Sequence, residues 1–246
     1  MLMRCIRAEM RKLRGAGIWW VFALLPVISA AYGTFNFMQN REILTNGWYS
    51  LFTQHTLFYA LFFFSPMVGV YAAYLWRMEH IGGGMNLLMT MPVQPFCFFA
   101  AKGAAVLAVT LLTQGWVFAL YVLCGRAVCG LAGWPPVQIA LYMLRGLLGA
   151  LAVVALQMLL SMVIRSFAVP VLIALVGGVV GMALVAQDAG LCWPYALVLL
   201  GMNANRAQDQ LAGGVGAYAL SCLGFAALFC LLAQALLTRR DVRALA

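Results

Sequence analysis

Charge is scarce in this 246-residue chain: 9% of its residues are Asp, Glu, Lys or Arg, against about a quarter in an average soluble domain. With 65% hydrophobic residues and a mean hydropathy of +0.98, it lacks the polar atoms to cover a water-facing surface. That excludes a soluble enzyme, a disordered tail and a disulfide-stapled secreted domain. Acidic residues number six, and none sits in the middle of an apolar run, where proton- and ion-coupled carriers usually need one. The only two histidines, His55 and His80, fall on opposite sides of the apolar run between them. No HExxH, GxSxG or paired carboxylates are present, so there are no candidate catalytic residues and no metal ligands. The seven cysteines are scattered without a CxxC or Cys/His cluster. Most read as small packing residues; Cys124, Cys129 and Cys192, near one membrane face, are the only candidates for a disulfide. No Lys is followed by Ser or Thr anywhere, so the glycine triplet Gly82-Gly83-Gly84 is not a phosphate loop. Any ATP hydrolysis must come from another subunit, and this chain itself holds no cofactor.

What is present is apolar length. Crossing the hydrocarbon takes about 20 residues of helix, and six runs qualify: 18–35, 56–76, 104–124, 147–164, 167–186 and 215–237. The chain reads as an all-α integral membrane protein of six transmembrane helices, one domain over 1–246, without an internal repeat. Fifteen basic residues give a net charge of +9. They lie between the runs, and no basic stretch interleaves with aromatics, so nucleic acid is not a partner. With the N-terminus inside, the inner face holds Arg4, Arg7, Arg11, Lys12, Arg14, Arg77, Lys102, Arg165, Arg239, Arg240 and Arg243. The outer face holds Arg41, Arg126, Arg145 and Arg206. The positive-inside rule therefore predicts that both termini are cytoplasmic. A retained first helix, rather than a cleaved leader, is expected from the charged lead-in and the five runs that follow.

Two inner segments depart from a plain bundle. Over 1–17, Leu2, Ile6, Met10 and Leu13 recur at helical spacing beside a stripe of Arg4, Arg7, Arg11 and Arg14, with Lys12 close by. That pattern predicts an amphipathic interfacial helix on membrane lipid, arginines among anionic headgroups. The connection 77–103 is the longest inner one. Its glycines break helix, Met85 to Met91 has the makings of a short apolar helix, and Pro92 would end it. Such a segment suits docking on a partner protein. Elsewhere, Gln114, Gln157, Ser65, Ser161, Thr110 and Ser221 read first as helix-packing hydrogen bonds. Arg145 either snorkels to the outer interface or lines a cavity. Gly177 and Gly181, and Gly146 and Ala150, allow close helix approach within the bundle or across a subunit boundary. Trp193 to Met202, broken by Pro194, is too short to span and reads as a re-entrant or surface helix.

Taken together, these features resemble the membrane subunits of type-2 ABC exporters. More narrowly, Ala8-Glu9-Met10-Arg11-Lys12-Leu13 leading to Ile18, Trp19 and Pro26 is similar to the lantibiotic-immunity permeases. So is Glu79-His80 followed by Leu87-Leu88-Met89-Thr90-Met91-Pro92 and Lys102. The resemblance implies a permease in a bacterial plasma membrane that assembles with two copies of an ABC ATP-binding subunit, which carries ATP and Mg. It also implies a second permease, related or identical, and a lantibiotic peptide as cargo, removed from the producer's membrane. Glu79, His80, Leu87, Leu88 and Pro92 would form the coupling helix on the ATPase, and the segment from Asp188 to Gln210 would shape the exit. Export of another amphipathic compound and a non-transport scaffold or sensor role are the alternative readings.

Overall fold

A hydrocarbon core offers no partner to a free backbone amide, so apolar runs of this length close their hydrogen bonds within helices. The computed structural model describes residues 1–81, 84, 85, 90, 92–206, 209, 211 and 213–239. It is helical, with no sheet among the described residues. Helix α1 (Leu2–Lys12) is followed by six helices long and apolar enough to cross a membrane. These are α2 (Ile18–Gln39), α3 (Gly47–His80), α4 (Pro95–Val128), α5 (Val137–Val163), α6 (Ala168–Ala186) and α8 (Gly214–Arg239). Between α6 and α8 lies the six-residue α7 (Ala196–Gly201). All seven cysteines carry free thiols, so the expected disulfide candidates stay unpaired. Arg240 and Arg243, expected on the inner face, lie outside the described residues.

Helices α3 and α4 are much longer than their apolar runs. At 34 residues each, they reach about 51 Å, well beyond a hydrocarbon core of about 30 Å. In α3, hydropathy alone starts the span late because the first turns are polar yet protein-covered. Gln54 and His55 are buried in α3 against α2. There Asn36 Nδ2 donates to Gln54 Oε1, and Thr34 Oγ1 pairs with His55 Nε2 at 2.9 Å. Gly33 admits this approach: a Cβ on it would stand 2.8 Å from the His55 Cα. At the other end, α4 opens on Pro95, which suits a first turn where its missing N–H is not needed. The connection between α3 and α4 is therefore 81–94 rather than 77–103.

Helices α3 and α5 form the centre, mostly buried, while α2, α6 and α8 turn broad Leu, Val and Phe faces outward. One wide turn, a π-helix over Tyr59–Phe63, interrupts α3. It lies against α6, where Gly178 faces the Leu61 carbonyl oxygen so closely that a Cβ would stand 2.7 Å away. Helix α1 packs across the start of α4; Gly15, at φ +73°, supplies the turn from α1 toward α2 that an L side chain would strain.

The segment after α6 is a hairpin that enters the bundle and returns. Trp193 Nε1 donates to the Gly177 carbonyl at 2.8 Å, nine residues back from the end of α6. That is a descent of about 14 Å. Helix α7 then climbs back along α5, every residue from Ala196 to Gly201 buried. Gly177 and Gly146, two of the small residues expected to allow close helix approach, make this possible together with Gly149. A Cβ on Gly177 would run into the Tyr195 ring, one on Gly149 would meet the Leu197 carbonyl carbon at 2.7 Å, and one on Gly146 the Met202 side chain at 2.7 Å. Their space is filled from within the chain.

Candidate functional site

The basic end of the bundle gathers charges that are far apart in sequence. Helix α1 is amphipathic as expected: Arg4, Arg7, Arg11 and Arg14 are exposed, Leu13 is buried, and Ile6 and Met10 are half-buried. Its buried side, however, is centred on an acidic residue, Glu9. Three residues on, Lys12 lies beside it, with Nζ 2.8 Å from Glu9 Oε1 and 2.7 Å from Glu79 Oε1. Glu79 sits in the last turn of α3. The fourth member is Lys102, two turns into α4 and 0% exposed. Its Nζ lies 2.8 Å from Glu9 Oε2 and 2.7 Å from Glu79 Oε1, and it donates to the Leu75 carbonyl at 3.3 Å. An ammonium has three donors, and all three of Lys102 are used.

Two lysines and two carboxylates make a neutral node. Neutrality matters because moving one charge out of water costs several kcal/mol, and only close partners with satisfied hydrogen bonds repay that cost. The Trp76 ring, 5.5 Å from Lys102 Nζ, adds a cation–π contact. Lys12 is the open member, its side chain 31% exposed. Burial acts to lower its pKa, but the hydrogen bonds and charges of Glu79 and Glu9 outweigh that and raise it above the ordinary 10.5. Lys12 also lines a cavity of about 490 Å³, together with Arg4, Cys5 and Ala8 of α1, with Val93 just before α4 and with Phe98 in its first turn.

The node holds both ends of the 81–94 connection. Gly84 folds back on Glu79: a Cβ there would stand 3.1 Å from the Glu79 Cα and from its carbonyl oxygen. His80 points elsewhere. Its Nε2 donates to the Ser161 carbonyl at 2.9 Å, and its ring stacks on Trp76, which ties α3 to the end of α5. The Arg77 guanidinium lies 5.8 Å from the Phe167 ring, in the turn that joins α5 to α6. Pro92 is exposed in a bend just before α4. Leu87 and Leu88 lie outside the described residues. Of the expected coupling residues, then, Glu79 turns inward to brace the connection, His80 turns toward the end of α5, and Pro92 faces out. Glu9 was legible only as part of a resemblance. The signal for its role was an acid among Ile6, Met10 and Leu13, in a chain with so few acids.

The opposite end is held by Arg145. It makes a bidentate pair with Asp209 (Nη1–Oδ2 3.0 Å, Nη2–Oδ1 2.9 Å), and its Nε donates to the Gly201 carbonyl at 3.3 Å. The guanidinium also lies 4.7 Å from the Tyr142 ring centroid. Among the interior polar residues, Gln157 Nε2 donates to Tyr195 Oη at 2.6 Å, Thr110 bonds its own helix, and Ser221 donates to the Leu191 carbonyl. Gln114, Ser65 and Ser161 are buried with side chains unpaired among the described residues. No cluster of metal-ligating side chains occurs among those residues.

The family model described as ABC-2 family transporter protein matches residues 5–181, from α1 through α6. The chain belongs to the ABC-2 transporter family. This ABC-2 protein is accordingly a multi-pass membrane permease, the membrane component of an ABC exporter, and membership implies an ATP-binding partner subunit. The matched span of the permease takes in all four residues of the ionic node and ends before the hairpin. No individual curated protein and no solved structure matches it.

Proposed function

We propose that this permease exports lantibiotic-type peptides from the membrane of the cell that makes them, driven by ATP hydrolysis on two copies of a separate ABC ATP-binding subunit that carries the ATP and Mg. A second permease, related or identical, completes the channel. The basic end faces the cytoplasm in this reading, which the concentration of arginines there supports. The observation that carries the coupling half of this reading is the neutral node that clamps both ends of the 81–94 connection. A push on that connection reaches α3 through Glu79, α4 through Lys102 and the interfacial helix through Glu9 and Lys12. Buried, fully bonded charge pairs resist separation, so the three helices move together.

The cargo half rests on the Glu79…Leu87-Leu88…Pro92…Lys102 pattern, and the chemistry supports it. Apart from the node and Arg145, the crossing helices carry Asp, Glu, Lys or Arg only in their last turns. A bundle of that kind suits amphipathic peptides taken laterally from lipid better than a small polar solute held centrally. The test is a tagged pull-down from native membranes, with and without Glu79→Lys, alongside survival of cells exposed to the lantibiotic. The expected result is an ATP-binding subunit in the eluate, lost with the variant, and a matching loss of resistance. A chain that elutes alone under lipid-preserving conditions overturns the coupling; retained ATPase without any protection overturns the cargo.

A further inference from the structure

Helices α6 and α8 both lie against α5 and leave between them a groove of about 660 Å³. Its floor is Leu156 and Leu160 of α5, with Leu172 and Val176 of α6 on one side and Phe225 and Phe229 of α8 on the other. The hairpin tip, Trp193 to Tyr195, also lines it. The polar atoms of both rings there are engaged elsewhere: Trp193 Nε1 donates to Gly177, and Tyr195 Oη accepts from Gln157. What the groove presents is hydrocarbon and ring faces.

Its depth and its entrance say what covers it. Helix α6 starts at Ala168 at the basic end. Leu172 is four residues in and Gly177, beside the hairpin tip, is nine, so they lie about 6 Å and about 14 Å along the axis. Half of a hydrocarbon core of about 30 Å is about 15 Å. Val180, twelve residues in, also lines it, so the groove runs from just below the basic surface to a few Å past the bilayer centre, about the depth of one leaflet. The turn joining α5 to α6, which links two of the groove's walls at its basic end, carries Arg165, which is exposed. An exposed guanidinium in the turn at the headgroup end of an apolar slot complements a phosphate that carries an acyl chain.

We infer that the groove holds one acyl chain of an anionic phospholipid, drawn from the leaflet at the basic end, with its phosphate on Arg165. The lipid fills the space against the hairpin tip and so supports Tyr195 and Trp193 from below. This is a structural lipid site and does not depend on what the permease exports.

The test uses the full chain in nanodiscs of phosphatidylcholine, doped with phosphatidylglycerol or phosphatidylcholine brominated near the chain ends. Quenching of Trp193 is read as the difference between the wild type and Trp193→Phe. The expected result is saturable quenching, half-maximal at about a fivefold lower mole fraction for the brominated phosphatidylglycerol. Arg165→Gln, an exposed change that leaves the fold intact, abolishes that preference, and Arg165→Lys keeps it. Val176→Phe, which fills the slot, removes the saturable part while the other tryptophans still quench. Quenching that rises in proportion to bulk content, equally for both lipids, overturns the site. A preference unaffected by Arg165→Gln overturns the assignment of the phosphate.

Discussion

The two ends of this bundle are held together by opposite means. At the basic end four charges from three helices close on one another, with Lys102 fully buried. At the other end a hairpin is seated by the absence of side chains at Gly146, Gly149 and Gly177. In lipid, helices gain nothing from hiding apolar surface, so close packing and polar bonds must do the joining. The charged end trades a large desolvation cost for partners that cannot be exchanged. The glycine end trades conformational cost for dispersion contacts that tolerate sliding. One end is suited to passing force, the other to giving way.

The largest effect should come from Lys102→Met. It leaves Glu9 and Glu79 sharing Lys12 alone, and breaking a buried pair in this way costs about 3–5 kcal/mol. Thermal unfolding in mild detergent should show it, and replacing Glu9, Glu79 and Lys102 together by Gln, Gln and Met should recover much of the loss. Gly149→Leu comes next, because its Cβ would meet the Leu197 backbone rather than a flexible side-chain end. Overpacking of this kind costs about 1–3 kcal/mol, and cleavage by protease between Ala189 and Met202 should rise. If Gly149→Leu cost more than Lys102→Met, the contrast between the ends would reverse. Asp209→Asn should cost about 1 kcal/mol or less, since its partner Arg145 is only partly covered, and high salt should hide the difference.

The smallest effect is a pH dependence at Lys12. Because its pKa is raised in the folded protein, the stability it contributes is fully present below the unfolded value near 10.5 and is lost as pH rises through the folded value. The gap in thermal unfolding temperature between the wild type and Lys12→Gln should therefore hold constant through neutral pH and shrink only in the alkaline range above 10.5. A change near pH 7 would assign the docking of α1 to another group.

Much of this was legible from residue order, and what was not has physical causes. Apolar length gave six spans, but the first turns of α3 stayed hidden because Gln54 and His55 look like surface residues until Thr34 and Asn36 are seen to cover them. The break at Pro194 in a run too short to span pointed to a re-entrant or surface helix, and of the two α7 is re-entrant. Gly146 and Gly177, which help seat it, read equally well as a subunit contact, since spacing says which residues are small and not what fills the gap. At the node, Glu79 and Lys102 belonged to a recognisable pattern. Their union with Glu9 and Lys12 was invisible, because pairing across 93 and 67 residues leaves no local periodicity.

The order of the node's members along the chain also bears on how the protein is made. Glu9 and Lys12 emerge first, Glu79 next and Lys102 last, in the direction of synthesis. A lone lysine entering the bilayer with α4 would be costly to insert, yet by then both carboxylates that receive it have already been delivered to the membrane. The charge least able to wait is the one that arrives when nothing is left to wait for.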